Sequence, residues 1–162
     1  MSTITPCLWF DGNAEEAATF YASVFPNSHV DAVHRAPSDY PSGKADDVLL
    51  VEFTLIGQPF TALNGGPQFQ FNEAISLQIP VETQAEADRF ADVLSAVPDA
   101  EQCGWVKDRF GVSWQIVPRQ LMKLVGDADR ARAKRAFEAM MDMKRIDIAA
   151  LERAADGVAS SS

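Results

Sequence analysis

Two stretches decide the architecture: Asn13-Ala-Glu-Glu16-Ala17-Ala-Thr-Phe20-Tyr-Ala-Ser-Val24 and Thr83-Gln-Ala-Glu86-Ala87-Asp-Arg-Phe90-Ala-Asp-Val-Leu94, which align at a constant offset of seventy. Each opens on an N-cap residue with Glu three positions later, the spacing that satisfies free backbone N–H groups at a helix start. Ala17, Phe20 and Val24, and likewise Ala87, Phe90 and Leu94, follow i, i+3, i+7 and give each helix one apolar stripe. Pro26 and Pro98 are expected to end them. A repeat of this kind sets the fold before any local reading does.

Working outward, each helix follows an extended apolar segment, Ile4 to Phe10 and Ala74 to Val81. The first is followed by strand-like runs at 28–36, 48–56 and 59–64, interrupted by the Pro-, Ser-, Gly- and Asp-rich loop 37–47. The second is followed by runs at 100–104, 105–107 and 112–118. Both halves read βαβββ, an α+β class. Within the strands, side chains alternate between faces. Leu49, Val51, Phe53 and Leu55 oppose Val48, Leu50, Glu52 and Thr54; Ile75, Leu77, Ile79 and Val81 oppose Ala74, Ser76, Gln78 and Pro80; Val112, Trp114 and Ile116 oppose Ser113, Gln115 and Val117. The dry faces should cover the helices, leaving the mixed faces to line a groove or to meet solvent. Beyond Pro118 the period becomes helical, with Asp147 as an N-cap flanked by Ile146 and Leu151 in hydrophobic-staple positions. The Met and Phe stripe of this tail serves packing or a dimer contact.

The 162 residues suit one modest domain or two small units. Lys+Arg 14 against Asp+Glu 23 leaves −9, which repels phosphate backbones and anionic lipid and argues against a nucleic-acid partner. No apolar run reaches the ~20 residues needed to cross a bilayer, and the N-terminus lacks secretory features, so no membrane association and a cytoplasmic location are expected. Cys7 and Cys103 make no disulfide framework and fit a reducing compartment.

Metal chemistry needs several His, Cys or carboxylate groups at one point. His29 and His34, five apart in one strand, are expected on opposite faces. Cys7, in an apolar strand, reads as a buried inert thiol, and Cys103 as a turn thiol. Asn64-Gly65-Gly66-Pro67 is a turn, and no phosphate-cradling motif occurs. Phe69 and Phe71 in the following loop either cover a ligand or pack. The groove face offers the neutral Asn64, Ser76, Gln78, Ser113 and Gln115, a set suited to hydrogen-bonding a polar organic ligand. Glu52 is the one carboxylate there; enclosed by neutral groups it would be raised by desolvation into the range of a general base. Trp9, Phe60 and Trp105 are placed to line or fill such a groove.

Pro6-Cys-Leu-Trp-Phe-Asp-Gly-Asn-Ala-Glu-Glu-Ala17, Phe20-Tyr21, Val51-Glu-Phe53, Gly57-Gln-Pro-Phe60, Ala62-Leu-Asn-Gly-Gly-Pro67, Phe71-Asn-Glu-Ala-Ile-Ser76, Gln102-Cys-Gly-Trp105 and Lys107-Asp-Arg-Phe-Gly-Val-Ser-Trp-Gln-Ile-Val-Pro118 resemble the PhnB-like, demethylubiquinone methyltransferase-like family of the vicinal oxygen chelate superfamily, the glyoxalase/bleomycin resistance/dioxygenase group. The resemblance implies two tandem βαβββ modules forming a cupped mixed sheet, at about 1–67 and 72–118, and a homodimer. Here they would be followed by a helical extension at 119–157 and a disordered tail at 158–162. Metal-dependent relatives take ligands from the first and last strand of each module; the matching positions hold Pro6 or Cys7, Asn64, Ser76 and Gln115, none of the last three a good divalent-metal ligand. The resemblance therefore carries the fold without metal or other cofactor. It leaves two expectations: a binder of a small polar or aromatic molecule, using Asn64, Ser76, Gln78, Ser113, Gln115, Phe69, Phe71, Trp9 and Trp105, or a lyase, isomerase or transferase using Glu52 as base. The methyltransferase label lacks a glycine-rich strand-to-helix turn suited to S-adenosylmethionine.

Overall fold

The computed structural model describes residues 3–158, so residues 159–162 of the expected disordered tail lie outside the described residues. The chain divides into two units, Met1–Phe71 and Asn72–Ser162.

In the first unit, β1 (Cys7–Phe10), α1 (Ala14–Val24), β2 (His29–Arg35), β3 (Val48–Leu55) and β4 (Gln58–Asn64) build a four-stranded sheet in the order β1-β4-β3-β2. Strand β1 runs parallel to β4 and the other pairs are antiparallel, giving the expected mixed sheet. One face carries Leu8, Phe10, Val51, Phe53, Leu55, Phe60 and Ala62, all buried. Against it α1 sets Ala14, Ala17, Ala18, Tyr21 and Val24. Tyr21 stacks on Phe53 with ring centroids 6.4 Å apart. The core position falls to Tyr21 rather than to the expected Phe20, which is half-buried. Asn13 occupies the N-cap without a side-chain bond; Asn64 Oδ1 accepts the Ala14 N–H instead, at 2.9 Å.

In the second unit, β5 (Ser76–Val81), α2 (Gln84–Leu94), β6 (Trp105–Lys107) and β7 (Ser113–Pro118) form a three-stranded sheet in the order β5-β7-β6, again with the first and last strands parallel. Here the N-cap bond forms: Thr83 Oγ1 accepts from Glu86 N, and Glu86 Oε1 reaches back past the cap to accept from Glu82 N. Ala87, Phe90, Ala91 and Leu94 are buried over Ile79, Val81, Val106, Trp114 and Ile116. Two local expectations are corrected. The run at 100–104 is no strand but a 3-10 turn at Pro98–Ala100 and a single bridge, Gln102 to Trp105, so Pro98 opens that turn four residues after α2 has ended. Ile75 lies before β5 and is 74% exposed.

The tail forms three helices, α3 (Arg119–Val125), α4 (Arg130–Met141) and α5 (Ile148–Ala155). Leu121, Leu124, Ala136, Ile146, Ile148, Leu151 and Ala155 make their core. Asp147 caps α5 through Ala150 N at 3.0 Å, with Ile146 and Leu151 buried as a staple requires. The α4–α5 connection fastens onto the start of β6: Cys103 N donates to Met143 O and Gly104 N to Lys144 O. The Gln84 amide donates to Ile146 O and accepts from Ile148 N. The first unit covers the outer side of β3 with β2; among the described residues the second sheet has no strand beyond β6, and this connection bonds the two residues that precede it.

Candidate functional site

The register of the first sheet places Cys7, Trp9, Thr61, Leu63, Leu50, Glu52, Thr54 and His34 on the face turned away from α1. Two expectations change here. A β-bulge between Val30 and Ala32 reverses the parity of β2, so that His29, opposite Thr54, and His34, opposite Leu50, share this face. Cys7 is exposed rather than buried. Each histidine meets a carboxylate: His34 Nε2 to Glu52 Oε2 at 2.8 Å and His29 Nε2 to Asp31 Oδ1 at 2.9 Å. Asp31 also accepts from Thr54 Oγ1 at 2.6 Å. Glu52 is therefore half-exposed and partnered, not enclosed by neutral groups.

Loop 65–71 crosses the edge strand β1. Trp9 Nε1 donates to Gly66 O at 2.8 Å, and Gly65 and Gly66 donate to Phe10 O. The indole lies so close to Gly65 that a Cβ there would collide with the ring. Phe69, 67% exposed, meets Trp9 edge-on at 5.0 Å, while Phe71 meets Phe10 at 5.3 Å on the opposite side of the strand. Asn64 is corrected: it lies on the face that α1 covers, opposite Phe10, with Oδ1 on Ala14 N and Nδ2 donating to Val48 O at 2.9 Å. Its amide is committed to the fold. Asn64 also lines a cleft of about 270 Å³ together with Asp11, Gly12, Tyr40, Ser42, Asp47, Val48 and Gly66, a feature no spacing in the sequence announced.

In the second unit the register brings four expected residues together. Ser76 pairs with Ser113 and Gln78 with Gln115 across β5 and β7, and β6 adds Lys107 beside Ser113 and Trp105 beside Gln115. All six share the face turned away from α2. Gln115 Nε2 donates to Ser76 Oγ at 2.7 Å. Gln78 is exposed, Trp105, Gln115 and Ser76 are half-buried, and Ser113, only 2% exposed, has little surface to offer a ligand. Lys107 Nζ pairs with Glu73, and that hydrogen bond holds the Glu73 carboxyl below its ordinary value.

Sequence reasoning missed Asp108. It is buried at the β6–β7 turn; Oδ1 accepts from Phe110 N and Val112 N, and Oδ2 from the Trp114 indole at 2.8 Å. The Asp-Arg-Phe-Gly turn was the available signal, since an Asp followed by a turn glycine closes on backbone donors.

The positions that the sequence resemblance matches to metal ligands do not fit a divalent ion: Asn64 is turned to the helix, and Ser76 and Gln115 bond each other. Among the described residues no three His, Cys, Asp or Glu side chains are grouped to hold a metal, and no helix is long and apolar enough to cross a membrane.

Residues 2–117 match the model of the 3-demethylubiquinone-9 3-methyltransferase family. A PhnB protein from Bacillus cereus is similar at 34% identity, over 72% of this chain and 99% of that one, with TM-score 0.61. A Pseudomonas aeruginosa protein shares the fold at 22% identity, over 73% and 98%, with TM-score 0.56. A glyoxylase/bleomycin resistance protein/dioxygenase domain from Frankia matches at 14% identity, over 73% and 92%, with TM-score 0.46. No curated protein matches the chain. With two helix-backed mixed sheets, a PhnB protein among its relatives and a family match over most of its length, the chain belongs to the 3-demethylubiquinone-9 3-methyltransferase family.

Proposed function

We propose that the chain binds a small polar or aromatic molecule, without a resident metal, on the sheet faces turned away from α1 and α2, and works as a cytoplasmic homodimer. The observation that carries this reading is the half-buried Gln115–Ser76 pair, with Trp105 of β6 beside Gln115 on one side and the exposed Gln78 of β5 on the other. Amides and hydroxyls on an aromatic floor hydrogen-bond and stack a planar polar ligand. Trp9 and Phe69 offer a second aromatic surface. The unpaired Cys7 and Cys103 support a reducing compartment. A thermal-shift panel of aromatic, polar and cationic metabolites tests the reading. A ligand at ten times its Kd adds about 1.4 kcal/mol, a rise of about 4 °C for a chain of this size. Absence of any shift at millimolar concentration across every class contradicts it.

A second reading, an enzyme using Glu52 as general base, gains one supporting feature in His34 at 2.8 Å, because a carboxylate–imidazole pair can relay a proton. Under it Glu52→Gln abolishes turnover of any substrate found and leaves ligand affinity unchanged. The methyl transfer in the family name gains no such support: the β1–α1 connection is Asp11-Gly12-Asn13, whose carboxylate and single glycine do not suit a nucleotide-type cofactor.

A further inference from the structure

A cleft of about 280 Å³ lies among the three C-terminal helices, lined by Gln120, Lys123 and Leu124 of α3, Asp127 just beyond it, Arg132 of α4, and Glu152 and Asp156 of α5. The family model ends at residue 117, so this cleft belongs to the added helices, and none of its lining residues lies on a sheet face. Helical spacing builds its walls, because residues three or four apart share a face: 120, 123, 124 and 127 on one side, 152 and 156 on the other. Its polar groups are unevenly used. Arg132 is engaged by two carboxylates, through Nε on Asp127 Oδ2 at 3.1 Å and through Nη1 on Asp156. Lys123 and Glu152, both exposed, have no ion-pair or hydrogen-bond partner among the described residues, and they do not reach each other. The Gln120 amide is half-satisfied: Nε2 donates to Glu82 O at 2.8 Å, while Oε1 is buried and has no donor. Such an acceptor is rare in a folded chain, since it has given up water and gained nothing in return.

We propose that this cleft binds a free amino acid, with the ligand's ammonium group on Glu152 and Gln120 Oε1 and its carboxylate on Lys123. The groups left without partners are two acceptors and one cationic donor, the complement of a zwitterion. A simple cation satisfies Glu152 but is repelled by Lys123, and a simple anion meets the reverse, so a molecule carrying both charges is selected over either. Gln120 Oε1 sits behind the cleft wall, and binding includes a turn of this amide toward the ammonium group. Leu124 adds an apolar patch for a side chain. The volume falls just under the ~300–1,000 Å³ of drug-sized sites, which suits a ligand of amino-acid size. This site is independent of the sheet-face reading and adds a second ligand to it.

Equilibrium dialysis of the full chain against radiolabelled natural L-amino acids at millimolar concentration tests this. At least one is expected to bind, and its amide and N-acetyl forms, each keeping a single charge, should bind at least tenfold more weakly. Lys123→Met and Glu152→Gln should each raise its Kd at least tenfold with unchanged circular dichroism, as both side chains are exposed. Binding by none of the amino acids overturns the inference and leaves the sheet-face reading to its own ligand panel. Binding that survives both variants seats the amino acid elsewhere and overturns the inference. Amide or N-acetyl forms that bind as tightly as the parent overturn the zwitterion, and with it the assignment of the cleft.

Discussion

Asn64 accepts the Ala14 N–H across fifty residues, so the last residue of β4 caps the helix that follows β1. Its Nδ2 also donates to Val48 O at the start of β3. Asn64→Ala leaves both groups unpaired and should lower unfolding stability by about 2–3 kcal/mol, from a lost cap and a lost buried bond. Asn64→Asp keeps the acceptor and should recover part of that loss. Urea unfolding checks both.

Asp108 joins a turn to the core by way of Trp114. Asp108→Ala strands two backbone donors and an indole and should cost about 3 kcal/mol. Asp108→Asn keeps the shape but presents N–H to N–H, and should fall between wild type and alanine in thermal unfolding followed by near-ultraviolet circular dichroism.

Gly104 sits at φ +86 where the C-terminal connection crosses β6. A Cβ there would lie 2.8 Å from Ile116 O and 3.0 Å from Ile146 Cγ1. Gly104→Ala should destabilise by about 1–3 kcal/mol, combining backbone strain with overpacking. Hydrogen exchange should accelerate first at Cys103 and Gly104, whose amides bond Met143 O and Lys144 O.

Arg145 bridges Asp92 and Glu101, and both carboxylates hold its guanidinium above its ordinary value, Asp92 more than Glu101. Burial acts to raise Glu101, but hydrogen bonds from Ser95 and Arg145 outweigh it and leave the carboxyl below the ordinary 4.5. A lowered carboxylate stabilises the fold above its unfolded pKa and loses that contribution as pH falls through the folded one. Stability should therefore decline below about pH 4.5. Arg145→Met should lower it by about 1 kcal/mol at pH 7 and make that decline shallower, as read from urea midpoints across pH.

The duplicated helix starts were legible because capping boxes and apolar stripes are local, and Thr83 with Glu86 behaves as its spacing states. Asn13 does not: its side chain makes no cap bond, while the Ala14 N–H is taken by Asn64 fifty positions away, and no local pattern records that. The alternation in β5 and β7 placed Ser76, Gln78, Ser113 and Gln115 on one face, since an uninterrupted strand preserves parity. In β2 one bulged residue reversed it, and the separation of His29 from His34 failed for that reason. Asn64 was assigned to the wrong face because its role depends on pairing with Phe10. The 100–104 run lost its strand to a turn with Cys103 at φ +52 and to edge bonds from the distant extension.

The three tryptophans report on the central claim separately. Trp9 and Trp105 lie on the faces turned away from the helices, while the Trp114 indole is buried on Asp108. In a ¹H–¹⁵N spectrum, titration with a ligand selected by thermal shift should move the Trp105 or Trp9 indole signal and leave that of Trp114 in place. A ligand that binds while both exposed-face indoles stay still, or that moves Trp114 alone, would contradict binding on those faces.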